Sequence, residues 1–163
     1  MSDIAVTLKT LIDRKLSVAT AESCTGGMIA SSIVDFPGAS ECFNEGYVTY
    51  SNEAKMKNLG VKHATLLAHG AVSAETAREM ALGVKSRAKA DFGISSTGIA
   101  GPGGGSPQKP VGLVYVACAF GDNQVEVREL RLSGDRAQVR TMAATMAFDL
   151  LDECLHKSLS QAR

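Results

Sequence analysis

The chain has 163 residues, with 17 Lys and Arg against 17 Asp and Glu, and 45% of it is hydrophobic. Ordinary apolar content with no net charge excludes a disordered chain, and the length suits one globular domain, expected over 1–163. Zero charge also argues against a general nucleic-acid binder, which carries a basic excess, while leaving room for one small anion held at a point.

In chain order, Ile4, Leu8, Leu11 and Ile12 fall at helical spacing and predict a first helix. Leu16 to Ala21 reads as a short strand and Gly26 to Val34 as a helix. Tyr47 to Tyr50 reads as a strand, and Ser51 to Leu59 as a helix stopped by Gly60. Ala64 to His69 is a turn or two of helix stopped by Gly70. Ser73 is a candidate N-cap for a long helix to about Lys89, with Ala77, Met80, Ala81 and Val84 on one face. Phe92 to Ser96 and Val111 to Phe120 are strands, and Gly121-Asp122-Asn123 turns the second into a third, Gln124 to Leu132. The apolar phase of that third strand shifts from odd (Val125, Val127) to even (Leu130, Leu132), predicting a bulge or a change of covered face near Arg128–Glu129. Asp135 to His156 reads as a long helix with Val139, Met142, Met146 and Leu150 inward. Strands alternating with helices, and a hairpin among them, give a three-layer α/β/α sandwich with a mixed, mostly parallel sheet.

No run of about 18 apolar residues predicts a membrane span, and Met1 to Lys15 lacks the uninterrupted apolar core of a signal peptide. Cys24, Cys42, Cys118 and Cys154 are scattered, so reduced thiols in a cytoplasmic protein are expected rather than disulfides or zinc. Neither H-x-x-x-H nor H-E-x-x-H occurs, and no metal or cofactor is expected.

Half of the 16 glycines sit in two places, the pair Gly26-Gly27 and six between Gly98 and Gly112. The first is Ala21-Glu22-Ser23-Cys24-Thr25-Gly26-Gly27, where a strand ends and a helix begins. Ser23 lies where a nucleophile belongs, and backbone N–H groups near Thr25 and Gly26 are candidate oxyanion donors. The plainer alternative is that Ser23 or Thr25 caps the helix. Cys24 is a rival nucleophile without a convincing His partner. The second place is the loop from Ser96 and Thr97 through Gly98, Gly101, Gly103, Gly104 and Gly105 to Pro107. Such a loop can turn successive N–H groups inward as an anion-binding nest, or serve as a flexible linker. Its prolines and unusual length favour the nest. Between them stand Tyr50 and Lys55, which fit either a Lys base with a Tyr relay or a surface Lys and a packed Tyr.

Together these segments, with Lys109-Pro110-Val111-Gly112 and Gly134-Asp135-Arg136, resemble the CinA carboxy-terminal domain family over about Leu8 to Leu155. The amino-terminal molybdopterin-binding-like domain of longer members has no counterpart in these residues, so the likeness is to the stand-alone form. The resemblance implies hydrolysis of the carboxamide of nicotinamide mononucleotide to nicotinate mononucleotide and ammonia. It also implies that Ser23, Tyr50 and Lys55 are the catalytic set. The partner is then a small nucleotide rather than a nucleic acid or membrane. Its phosphate is expected on the loop residues Thr97, Gly98, Gly101, Gly103 and Gly104, with Arg136 and Arg140 as candidate clamps. The alternative is a non-catalytic nucleotide-sensing or partner-binding module. Apolar helix stripes suit a homo-oligomer and a monomer's core equally.

Overall fold

A computed structural model of residues 1–163 shows a five-stranded sheet between two helical layers. The strands are β1 (Val18–Glu22), β2 (Phe43–Val48), β3 (Phe92–Gly98), β4 (Leu113–Phe120) and β5 (Gln124–Arg131), in the order β2-β1-β3-β4-β5. β1 pairs in parallel with β2 and β3, and the β3–β4 and β4–β5 pairs are antiparallel. Four strands therefore run one way and β4 alone is reversed, the mixed sheet expected from a hairpin in an alternating sequence.

One face of the sheet is covered by α1 (Ile4–Asp13), α2 (Met28–Val34) and α6 (Arg136–Gln161), whose Leu8, Leu11, Ile29, Ile33 and Leu151 join the main core. The other face is covered by α5 (Ala74–Ala88), flanked by α3 (Asn52–Leu59) and α4 (His63–His69). Met80 and Val84 of α5 meet Leu59 and Leu66 there, and Ala77 and Ala81 meet Ala117 and Ala119 of β4.

Local signals explain most ends. The Ser73 hydroxyl accepts from the Thr76 N–H at the start of α5. Asp135 and Gln138 form a reciprocal capping box at the start of α6. Two expectations need correction, and a third is decided between its two alternatives. The second strand begins at Phe43 and stops at Val48, leaving Tyr50 in the connection to α3. The buried line of α6 runs through Val139, Ala143, Ala147, Leu150 and Cys154. Met142 lies one position round the helix from that line and is 42% exposed. Finally, β5 holds an unbroken register with β4 from Leu113↔Arg131 to Phe120↔Gln124, so there is no bulge. The shift in apolar phase reflects a change of covered face: Val125 and Val127 pack on the α5 side, while Leu130 packs on the α6 side. At the end of β5 away from Leu130, that side is joined to α6 by polar pairs, Arg128–Glu153 and Glu126–Lys157.

The register matters for function. Glu22, the last residue of β1, is level with Val48 of β2 and Ser96 of β3. The carboxyl ends of three parallel strands thus open side by side, with β1 in the middle, the place where open α/β sheets bind ligands.

Candidate active site

Ser23 follows β1 directly. Its N–H donates to the Ser96 carbonyl at 3.0 Å, extending the β1–β3 ladder by one residue. The chain then bends sharply: the Gly26 N–H donates to the Ser23 carbonyl at 3.0 Å, and Gly26 and Gly27 take φ of +58° and +105°. Both angles lie in the region that favours glycine, which explains the pair.

Neither Ser23 nor Thr25 caps α2. Glu22 does so instead. Its buried carboxylate accepts from the Ile29 N–H at 2.9 Å, the Ala30 N–H at 3.0 Å and the Thr25 hydroxyl at 2.6 Å. A carboxylate at a helix N-terminus satisfies orphan donors and matches the helix dipole. Sequence reasoning passed over Glu22, because its targets lie seven and eight positions away rather than at the usual capping spacing. The Thr25 hydroxyl also lies 2.6 Å from Ser96 Oγ, which fastens the turn to β3.

With the cap supplied by Glu22, the Ser23 hydroxyl is left for Lys55. Lys55 Nζ stands 3.1 Å from Ser23 Oγ, 2.8 Å from the Thr49 carbonyl and 3.3 Å from the Tyr50 carbonyl. The side chain is 1% exposed, although Lys is almost never fully buried unless paired, and no carboxylate bridges to it. Burial holds its pKa below the ordinary lysine value. The two carbonyls accept from Nζ, and the Ser23 hydroxyl can either accept from it or, once the amine is neutral, donate to its lone pair.

The Tyr50 hydroxyl is not part of this contact. The side chain is 64% exposed, and its oxygen accepts from Arg136 Nη2 at 3.2 Å. The structure therefore departs from the expected relay: Lys55 reaches Ser23 directly, and Tyr50 serves Lys55 by its carbonyl.

Two further expectations shift. Arg140 Nε donates to the Cys24 carbonyl at 3.0 Å and its Nη2 to the Thr25 carbonyl at 3.1 Å, so Arg140 braces the turn rather than facing a phosphate. The Thr97 hydroxyl is buried and donates to the Ala71 carbonyl at 2.8 Å, so it is no ligand group either. As for the oxyanion donors, the Gly26 N–H is spent on Ser23, whereas the N–H groups of Cys24 and Thr25 donate to no group of the chain.

The glycine loop and the turn share a cavity of about 210 Å³, lined by Cys24, Tyr50, Gly98, Gly101, Gly103, Gly104, Arg136 and their neighbours. Arg136 crosses it, holding the Gly101 carbonyl at 2.7 Å and the Tyr50 hydroxyl. The N–H groups of Gly103, Gly104 and Gly105 have no partner within the chain. Cys24 lines the cavity, but desolvation pushes its thiol up to about 11. A thiol that stays protonated is a poor nucleophile.

The family model for the CinA C-terminal domain matches residues 3–155. The chain belongs to the CinA C-terminal domain family. Similar chains include competence-damage inducible proteins of Caldanaerobacter subterraneus (58% identical over 146 residues) and Acetivibrio thermocellus (56% over 146 residues). Each match covers 90% of this chain but 35% of the relative, so the chain spans about a third of the length of these curated relatives. Among solved structures, a CinA superfamily protein of Klebsiella pneumoniae superposes with a TM-score of 0.90 at 36% identity, covering 94% of this chain and 96% of the other. A competence/damage inducible protein of Agrobacterium tumefaciens gives 0.84 at 40% identity, covering 96% of each chain. No helix of this CinA domain is long and apolar enough to cross a membrane.

Proposed function

We propose that this CinA domain is a nicotinamide-nucleotide amidase working through a Ser23–Lys55 pair. The observation that carries the reading is the buried Lys55 amine, 3.1 Å from Ser23 Oγ and without an acidic partner. Neutral Lys55 takes the Ser23 proton as Oγ bonds to the carboxamide carbon. The Cys24 and Thr25 N–H groups receive the developing oxyanion, a role in which one donor contributes about 3 kcal/mol. As the C–N bond breaks, the proton on Lys55 passes to the leaving nitrogen and ammonia departs. Water, deprotonated by the again-neutral Lys55, then cleaves the acyl-enzyme to nicotinate mononucleotide, and Ser23 recovers its proton. The 5′-phosphate sits against the unpartnered N–H groups of the glycine loop. Arg136 and Tyr50 form the rim across which the nucleotide lies.

The test is ammonia release from nicotinamide mononucleotide by the purified protein. Ser23→Ala and Lys55→Ala are each expected to lower turnover about 1,000-fold or more, with the unfolding transition retained. Nicotinamide riboside, lacking the phosphate, is expected to be much the poorer substrate. Near-normal ammonia release by Ser23→Ala would rule out the covalent scheme, and no release by the wild type would favour a binding module.

A further inference from the structure

Arg140 reaches the nucleophile turn from 116 positions further along the chain, and its guanidinium lies flush against it. A Cβ on Gly26 would come within 3.1 Å of Arg140 Nη2. We infer that Arg140 is a positioning residue that aims the Thr25 N–H at the oxyanion, an inference that rests on the amidase reading of Ser23. The Cys24 carbonyl and the Thr25 N–H belong to one planar peptide unit and point in opposite directions. Fixing the carbonyl on Arg140 Nε, at 3.0 Å, therefore fixes where the N–H points. It also polarises the unit, because a hydrogen bond at the carbonyl end strengthens the donor at the other.

The neighbouring peptide is held in the same manner. The Ser23 carbonyl, which shares a plane with the Cys24 N–H, accepts from the Gly26 N–H at 3.0 Å. Two adjacent peptides are thus anchored by their carbonyls, one on a backbone donor and one on a guanidinium. Both leave an N–H, on the two residues that follow Ser23, without a partner in the chain. The second bond of Arg140, to the Thr25 carbonyl at 3.1 Å, fixes the guanidinium plane so that it cannot swing toward the cavity without breaking both contacts.

This role differs measurably from phosphate binding. Arg140→Ala and Arg140→Lys are compared with the wild type for kcat and KM on nicotinamide mononucleotide and on nicotinamide riboside. The rate at which a fluorophosphonate labels Ser23 is measured alongside. Arg140→Ala is expected to lower kcat about 100-fold, to move KM by less than about threefold, and to slow labelling in parallel. Turnover of the two substrates is expected to fall by the same factor. Added ethylguanidinium should recover part of the lost kcat in Arg140→Ala. Arg140→Lys, which offers a point donor in place of a planar fork, stays impaired. Thermal unfolding establishes that the variants are folded, and Arg140→Lys carries the comparison if Arg140→Ala is not.

Unchanged kcat and labelling in a folded variant overturn the inference. So does a KM for the mononucleotide about tenfold higher at constant kcat, with the riboside unaffected, which is the signature of a phosphate ligand. A wild type that is labelled at Ser23 yet releases no ammonia defeats the substrate reading instead, and the labelling rates then decide the role of Arg140.

Discussion

The turn at residues 22–27 and the loop at residues 98–105 are both rich in small residues, and both follow strands of one sheet, yet they are built in opposite ways. In the turn, side chains and carbonyls are tied: Glu22 to two helix N–H groups and Thr25, Thr25 to Ser96, Cys24 and Thr25 to Arg140. In the loop, Arg136 holds one carbonyl and three successive N–H groups donate to nothing. The first holds a hydroxyl and an amine in one geometry. The second presents donors to something from outside. Clustered glycine in a sequence thus has two separate physical causes, a bend that only positive φ allows and a backbone that must be approached.

The largest effect that would break this contrast lies at Glu22. Glu22→Ala orphans the Ile29 and Ala30 N–H groups at the start of α2. Leaving such donors unsatisfied is expected to cost about 3 kcal/mol, read as a lowered urea midpoint. Glu22→Gln keeps one carbonyl oxygen and should lose less. A midpoint for Glu22→Ala equal to the wild type would mean that the turn is not held as described.

Next in size is the pH dependence of Lys55. If the amidase reading holds, activity needs the neutral amine, so kcat/KM should rise with pH and level off above the depressed folded-state pKa, with a midpoint below 10.5. Stability changes in the same direction. Between the folded pKa and the ordinary value of 10.5, the unfolded chain binds the proton and the folded chain does not. Stability therefore rises with pH across that window, is fully present above 10.5, and is lost as pH falls through the folded pKa. Denaturant unfolding of the wild type and Lys55→Met at several pH values checks this. The variant should show the smaller slope, and identical slopes would mean that Lys55 titrates as in water.

Much of this architecture could be read locally. Ser73 and Asp135 announce their helices because a cap acts within three residues. Gly121-Asp122-Asn123 announces its hairpin for a similar reason. The small-residue turn and Lys55 could be picked out by residue type and place, but a helix cap and a surface Lys fitted the same residues, and only the family resemblance joined them into one site. What could not be read is which way long polar side chains turn. The targets of Arg136 and Arg140 lie 35 to 116 positions away, so helical spacing placed them side by side without saying what they hold. Tyr50 is the sharpest case. One residue serves Lys55 through its carbonyl and Arg136 through its hydroxyl, and sequence alone does not separate the two.

The smallest expected effect sharpens the contrast within the loop itself. Gly101 has φ of +83°, and a Cβ there would come within 2.4 Å of Val111 Cγ1. A Cβ on Gly103 would meet nothing within 4 Å, and its φ is not in the left-handed region. Gly101→Ala should therefore cost about 1–2 kcal/mol from the left-handed backbone alone. Gly103→Ala should stay within about 0.5 kcal/mol, with the lower entropy of its unfolded chain working in its favour. Because Ala keeps the N–H, the nest at Gly103 is unaltered, and KM for nicotinamide mononucleotide should be unchanged. Thermal midpoints and KM values of the two variants test both statements. If Gly103→Ala proved the more damaging of the two, the loop would need glycine there for close approach to the nucleotide rather than for its own backbone. The free N–H groups would then be only part of what it offers.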